Sequence, residues 1–470
     1  MDQKKYMSRR RFMGVASCAA LGSTTMLNSL FNLSMANNLA APSRLSPQTG
    51  DYKALVCILL AGGNDSYNML VPRSSTPYAE YAASRSNLAL AQNTLLPLNF
   101  TDSGGRQYGI HPSMPEVQNL FNSNKLAFLT NVGTLVQPTT KPQVINKTVT
   151  LPNGLLSHAD QIQQWQTSIP QTRDARGWGG RMADILSSSN TGSNISMSIS
   201  LGGTNVFQAG KNTTEFAITN QGNGSVGIHV YDSPAWYDQV IKTGVDSLLN
   251  QQYHDIFKQT YAQKVHEGQG QHEEFSTAIA GVTPFATQFS NNPLSQDMHM
   301  IAKTISARNV LNMKRQTFFV IFGGWDHHDE VLNNQTAMLA VVSAALGEFQ
   351  AAMEELGTDD CVTTFTISDF ARTLTSNGNG SDHAWGGNVM VVGSDVKGGT
   401  IYGDYPTLAL NSALDLGDGV IIPGISTDEY FAELSAWMGV SNADIPYLLP
   451  NIGNFYTLGS PTPPVGFMNI

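Results

Sequence analysis

Phe318-Phe-Val-Ile-Phe-Gly-Gly-Trp-Asp-His-His-Asp329 is the stretch on which the reading of this chain turns. A short continuous apolar run is the mark of a strand buried on both faces, and this one empties through two glycines into two acids and two histidines. Apolar residues at Met338, Val342, Ala345, Phe349, Met353 and Leu356 then trace one helix face, Gly357 stops it, and Val362 to Ile367 forms the next apolar run. Strand, helix and strand in that order make a crossover, which leaves its two strands parallel. Asp326, His328 and Asp369 therefore leave the sheet at one edge. Ala54 to Leu60 is a third run of the same kind, and it adds Asn64 and Asp65 to that edge if its strand is parallel too. Ligands and metals gather at the carboxyl ends of parallel strands, so acids and histidines at three such ends are a candidate common site.

The same alternation continues through a strand pattern at Leu126 to Val132 and a helical one at Met298 to Met313. The expected fold is α/β, with a central, largely parallel sheet flanked by helices on both faces. Residues 195–232 differ: short Ser/Ile/Val runs broken by Gly-Gly, Asn-Gln-Gly and Asn-Gly turns suggest a β-rich insertion or lid, part of an inserted region near 195–295.

With 470 residues, 41% of them hydrophobic and only 13% charged, the chain has enough apolar sequence for a large core. The formal charge is −10, and without the five basic residues and one acidic residue of 1–36 it falls to −14. So acidic a surface excludes nucleic acid as the expected partner, because phosphate binding needs clustered Lys and Arg. Ser8-Arg9-Arg10-Arg11-Phe12-Met13, followed by a mildly apolar stretch from Val15 to Leu33 and by Ser34-Met35-Ala36, fits a twin-arginine export signal. Residues 1–36 are read as the signal peptide, 37–50 as a linker and 51–470 as the folded domain. The protein is expected in the periplasm or outside the cell, with no transmembrane segment after processing, because Asn28 and Asn32 dilute the apolar stretch. Cys57 and Cys361 read as core residues rather than as a disulfide framework.

Carboxylate oxygens beside imidazole nitrogens suit a divalent ion, zinc or manganese first, singly or as a pair. Asp326 and His328 lie two apart on a loop, and Asp382-His383 supplies a second pair shortly beyond Asp369. The alternative for Asp326 and Asp369 is that each caps a helix after its strand. Ser157 precedes a helical run, where it is either an N-cap or a nucleophile activated by the helix dipole and a metal. Arg372 is placed to hold an anionic oxygen or to pair with a neighbouring acid. Asn64, His111, His158 and His327 are candidates for touching substrate or orienting ligands. His266 and His272 lack the spacing of a zinc-protease pair and are assigned to a solvated face.

Taken in order, Gly62-Gly-Asn-Asp-Ser-Tyr-Asn68 closing in Val71-Pro72, Ile110-His-Pro112, Ser157-His158, Gly177-Trp-Gly-Gly-Arg181, Gly323-Gly-Trp-Asp-His-His328, Ser368-Asp-Phe-Ala-Arg-Thr373, Asp382-His383 and Val396-Lys-Gly-Gly399 resemble the domain-of-unknown-function 1501 family. That family is exported and similar, distantly, to the alkaline phosphatase superfamily. The resemblance implies an alkaline-phosphatase-like domain in which Asp65, Asp326, His328, Asp369 and His383 hold metal and Ser157 is the best match for the nucleophile. It also implies a co-exported partner of the domain-of-unknown-function 1800 type. One departure matters: the superfamily's Asp-His pair is Asp369-Phe370 here, so a nitrogen ligand is missing unless His158 or His383 replaces it. No cysteine lies in the context needed for a formylglycine sulfatase. The function expected is an exported metal-dependent hydrolase of phosphate or related anionic esters, with Ser157 or a metal-bound water as the attacking group; the alternative is a non-catalytic envelope binding or scaffold protein that keeps the fold.

Overall fold

Val56, Ile58 and Leu60 point to one side of the first strand and Leu55, Cys57 and Leu59 to the other, and all six are buried. Successive side chains of a strand alternate between faces, so a strand apolar at every position must be covered on both. The structure, a computed structural model, describes residues 52–470, and the expected signal peptide and linker lie outside the described residues. The strands are β1 (Lys53–Ala61), β2 (Leu70–Pro72), β3 (Leu96–Thr101), β4 (Gln107–Ile110), β5 (Leu126–Gly133), β6 (Ser198–Ser200), β7 (Phe216–Ala217), β8 (Arg315–Gly323), β9 (Val362–Ser368), β10 (Gly387–Val392), β11 (Ile401–Tyr402) and β12 (Ile425–Ser426).

The main sheet runs β11-β5-β10-β9-β1-β8-β6-β7, with β12 also on β5, and β2-β4-β3 make a small antiparallel sheet. β1 is parallel to both β8 and β9, in registers that set Ala61 beside Gly323 and Leu60 beside Ser368. The three strand ends therefore finish level, as the crossover reading requires. β10 alone runs against its neighbours β9 and β5.

On the first face, helices Pro115–Asn122, Pro293–Ser306 and Val331–Glu355 pack on the sheet through Phe121, Ile301, Val342, Phe349 and Met353. Helix Val331–Glu355 is the crossover between β8 and β9. It is long and apolar enough by composition to cross a membrane, and half of its apolar window is buried inside the fold. On the second face, Trp165, Trp178, Phe431 and Trp437 come from helices His158–Thr167, Trp178–Leu186 and Thr427–Trp437. Trp178 stacks on Phe431 with ring centroids 4.5 Å apart. Cys57 is buried in the core as expected, whereas Cys361 is only half-buried and lies outside it, and the two form no disulfide.

The described residues divide into two compact units, one of 52–226 and 271–470 that carries the sheets, the other of 227–270. The region expected to hold a strand-rich insertion contributes β6 and β7, which extend the main sheet beyond β8. From His229 onward it is helical, as His229–Asp232, Trp236–Leu249 and Ile256–Ala280. His272 is buried, with Nδ1 2.6 Å from the Ser225 hydroxyl, which corrects its assignment to a solvated face; His266 is exposed as expected.

Trp178→Ala should lower stability by about 3–5 kcal/mol through lost transfer energy and an unfilled cavity. Val310→Ala, at a side chain 70% exposed, should stay within about 0.5 kcal/mol of the parent when both variants and the parent are unfolded in urea.

Candidate metal centre

Gly62 and Gly63 follow β1 with φ of +122° and +86°, a region that side-chain-bearing residues avoid. A Cβ on Gly62 would lie 2.5 Å from the Asp326 backbone nitrogen, and one on Gly63 2.6 Å from the Phe370 ring. The glycines thus allow the loops after β8 and β9 to close directly over the end of β1. Asp326 and Asp369 emerge into this crowded edge.

Neither acid caps a helix. The helix after β8 starts at Val331 with Glu330 as its N-cap, and the chain after Asp369 runs through a hairpin-like finger rather than a helix. Thr373 N donates to Asp382 O at 2.9 Å and Ala384 N to Ala371 O at 2.8 Å, and the Arg372–His383 backbone bridge lies between them. The finger returns His383 to the strand ends.

Three imidazoles converge on Asp326 Oδ1 through Nε2: His328 at 3.1 Å, His158 at 3.4 Å and His383 at 3.6 Å. Each opposite nitrogen meets an oxygen. His158 Nδ1 is 2.6 Å from Asp369 Oδ2, His328 Nδ1 is 3.1 Å from Asp382 Oδ1, and His383 Nδ1 is 2.8 Å from the Leu156 carbonyl. A carbonyl can only accept, so His383 Nδ1 carries the proton and its Nε2 offers a lone pair; the carboxylates favour the same tautomer in the other two. His328 Nε2 and His383 Nε2 stand 3.0 Å apart. Lone pairs that face one another and a carboxylate repel unless a cation lies among them, so this donor set fits a metal ion. His158, Asp326 and His383 alone place their ligand atoms within 4.8 Å of one another.

Electrostatics agree with that arrangement. For Asp326 burial is the largest effect and opposes ionisation, but the hydrogen bond and charge of Arg372, with His158 and His328, outweigh it and leave the carboxyl below its ordinary range. Burial first, then the nearby His158, Arg372 and His328, depress His383, against the Leu156 carbonyl; it stays neutral and keeps its lone pair at lower pH than an exposed histidine. Asp369 is fully buried and its pKa is raised by that burial, partly offset by the Gly62 N–H and His158. Leu156 adopts φ +73°, a left-handed backbone that costs a non-glycine residue roughly 1–2 kcal/mol.

The sequence candidates separate into groups. Asp326, His328 and His383 come together as expected, and His158 joins them as a fourth donor. Asp369 and Asp382 stand behind His158 and His328 as their orienting acceptors rather than in the converging set. Phe370 packs against both His158 and His383, with centroids 4.7 and 4.6 Å away; the nitrogen absent at 370 has its counterpart in His158.

Asp65 departs from the expected ligand set. It is wholly buried and its Oδ2 pairs with the equally buried Arg85, which also donates to Asn68 Oδ1 and Thr373 O. Arg372 departs from its expected role as well: fully buried, it donates to the carbonyls of Gly62, Gly63, Trp325 and Ser381 and to Asp326, so its guanidinium is spent inside the protein. Ser157 is the N-cap residue of helix His158–Thr167, but its side chain makes no capping hydrogen bond. His111 lies in the β4 connection, where its Nδ1 accepts from Ser113 N at 3.2 Å and burial pulls its pKa down to about 4. His327 is buried beside Trp325, and Asn64 is buried with its backbone N–H on Ser368 Oγ. The Leu156 carbonyl escaped sequence reading, since no residue pattern marks a backbone acceptor.

The family described as "Protein of unknown function (DUF1501)" matches residues 52–416. The chain belongs to this family. No curated protein matches it. Among solved structures it is similar to Ps i-CgsB in complex with k-i-k-neocarrahexaose, at 10% identity and TM-score 0.33 over 86% of this chain and 77% of the other. It is similar also to the lipooligosaccharide phosphoethanolamine transferase EptA from Neisseria meningitidis, at 9% identity and TM-score 0.33 over 94% and 72%. A third is the C-terminal periplasmic domain of EcEptC from Escherichia coli in complex with Zn, at 10% identity and TM-score 0.27 over 84% and 85%. Likenesses this distant leave the chemistry of the DUF1501 chain to its own residues.

Asp369→Asn should keep the fold but weaken zinc binding by about 10–100-fold, the usual effect of losing a carboxylate behind a histidine ligand. Competition against a chromophoric chelator measures it.

Proposed function

We propose that this DUF1501 protein is a metal-dependent hydrolase of a phosphate or related anionic ester, exported to act on a substrate in the cell envelope. The observation that carries the reading is the convergence of three Nε2 atoms on Asp326 with every Nδ1 held from behind. His158, His383, Asp326 and His328 would hold one divalent ion, with zinc favoured by the nitrogen-rich set and manganese next. The side chains of Asp326 and His328 are 49% and 45% exposed, so the centre is open on one side, as a catalytic site must be and a closed structural site is not.

When bound, the ion supplies Lewis-acid stabilisation of the ester's charged oxygens and makes water a better nucleophile at neutral pH. The protein's own groups divide the remaining work. Asp369, Asp382 and the Leu156 carbonyl fix ring orientation and keep protons on Nδ1. Arg372 fixes Asp326 and touches no substrate. The groups that converge on Asp326 are three imidazoles and not Ser157, which favours water over Ser157 as the attacking group. The Arg-Arg leader motif supports action beyond the cytoplasmic membrane.

One observation favours a second reading, a metal-free envelope-binding scaffold: Arg372 already sets a positive charge against Asp326 and so competes with an ion there.

Asp326→Ala and His158→Ala should each lose the ion by elemental analysis of protein purified without added metal or chelator, and lose at least about 100-fold in turnover of phosphate mono- or diesters. Ser157→Ala should keep turnover within a few fold. Metal and turnover both intact in Asp326→Ala would overturn the site, and a stable, metal-free parent protein would move the reading to the scaffold.

A further inference from the structure

Helix Trp236–Leu249 is inside out. Its polar residues are the ones held by the neighbouring segment: Asp238 is buried and bonded to Ser233 Oγ at 2.5 Å, Asp246 takes the Tyr231 hydroxyl, and Lys242 Nζ lies 4.8 Å from the centre of the Tyr231 ring. Its apolar residues face outward, with Trp236 78%, Tyr237 55%, Val240 64%, Ile241 51% and Leu248 60% exposed. At 3.6 residues per turn these five fall within an arc of about 140°, and the three charged residues occupy the other side. Because hydrogen bonds fix the polar side, the apolar face cannot roll inward without breaking them. The next helix adds exposed Ile256, Phe257 and Tyr261. Eight of the fifteen exposed large apolar residues of the described chain thus lie in the unit 227–270, a concentration that marks a contact surface rather than scattered exposure.

We propose that this face pairs with the same face of a second copy of the chain, through an antiparallel crossing of two Trp236–Leu249 helices at Gly244. Gly244 lies within the apolar arc, and a Cβ there would meet nothing within 4 Å, so the helix surface is notched where another backbone can approach closely. Val240 and Leu248 stand four residues to either side. A two-fold axis through Gly244 sets Val240 of each copy against Leu248 of the other, so the face is complementary to itself, as an isologous interface requires. The exposed apolar side chains offer on the order of 800 Å² per copy, the area a stable interface needs. A membrane surface fits less well, since residues 227–270 carry five acidic side chains against three lysines, whereas membrane-lying helices are rich in Lys and Arg.

Light scattering on the full mature chain tests this directly. The parent protein should show twice the monomer mass and Val240→Glu the monomer mass, with an unchanged far-UV circular dichroism spectrum showing that the variant is folded. Gly244→Cys, on the axis, should form a disulfide between copies under mild oxidation, while Lys242→Cys, on the polar side, should not. A parent chain that stays monomeric at submillimolar concentration, or that binds phosphatidylglycerol vesicles through Val240 while monomeric, would overturn the proposal. So would a dimer that survives both Val240→Glu and Gly244→Trp.

Discussion

One buried guanidinium holds the strand ends together. Arg372 reaches carbonyls from the loop after β1, the loop after β8 and the finger that carries His383, and it fixes the Asp326 carboxylate. Only a planar group with five N–H donors in a fixed fork can serve so many acceptors from one position. Those carbonyls are buried where no secondary structure satisfies them, and leaving them unpaired would cost more than any single packing contact nearby. The three histidines, each oriented from behind through its Nδ1, converge on the carboxylate that this tie fixes.

Much of this architecture was legible in the sequence because its signals are local. Continuous apolar runs ending in Gly and Asp identify buried strands, and the helical spacing from Met338 to Leu356 makes two of them neighbours. The distinction between Asp65 and Asp326 was not legible. Both follow a strand and a Gly-Gly pair, and what separates them is a distant cation in each case. Arg85, at the end of helix Ser75–Arg85, takes Asp65 out of the site, and a buried arginine has no local pattern of its own.

The exchange between His158 and Asp369 has the same origin. Sequence order makes Asp369 the strand-end ligand and His158 an accessory group, but helix His158–Thr167 enters from the second face of the sheet and brings its imidazole in front of the acid. The inversion of helix Trp236–Leu249 was also hidden, since its amphipathic pattern is an ordinary one and only the contacts of Tyr231 and Ser233 show which side faces in.

The central position of β1 has a consequence for how the protein is made. Ala54 pairs with Gln316 on one side and Val362 on the other, so the sheet cannot close around its first strand until most of the chain has been synthesised. Long-range parallel pairing is intrinsically slow, because the chain entropy of a large loop is lost before any contact rewards it. Until then β1 is a nearly uncharged, β-prone segment with two bare edges, the kind of sequence that seeks other chains. Protection of residues 53–61 during synthesis should therefore govern the yield of folded protein, and a chaperone that holds this segment would do more for it than one acting on any later strand.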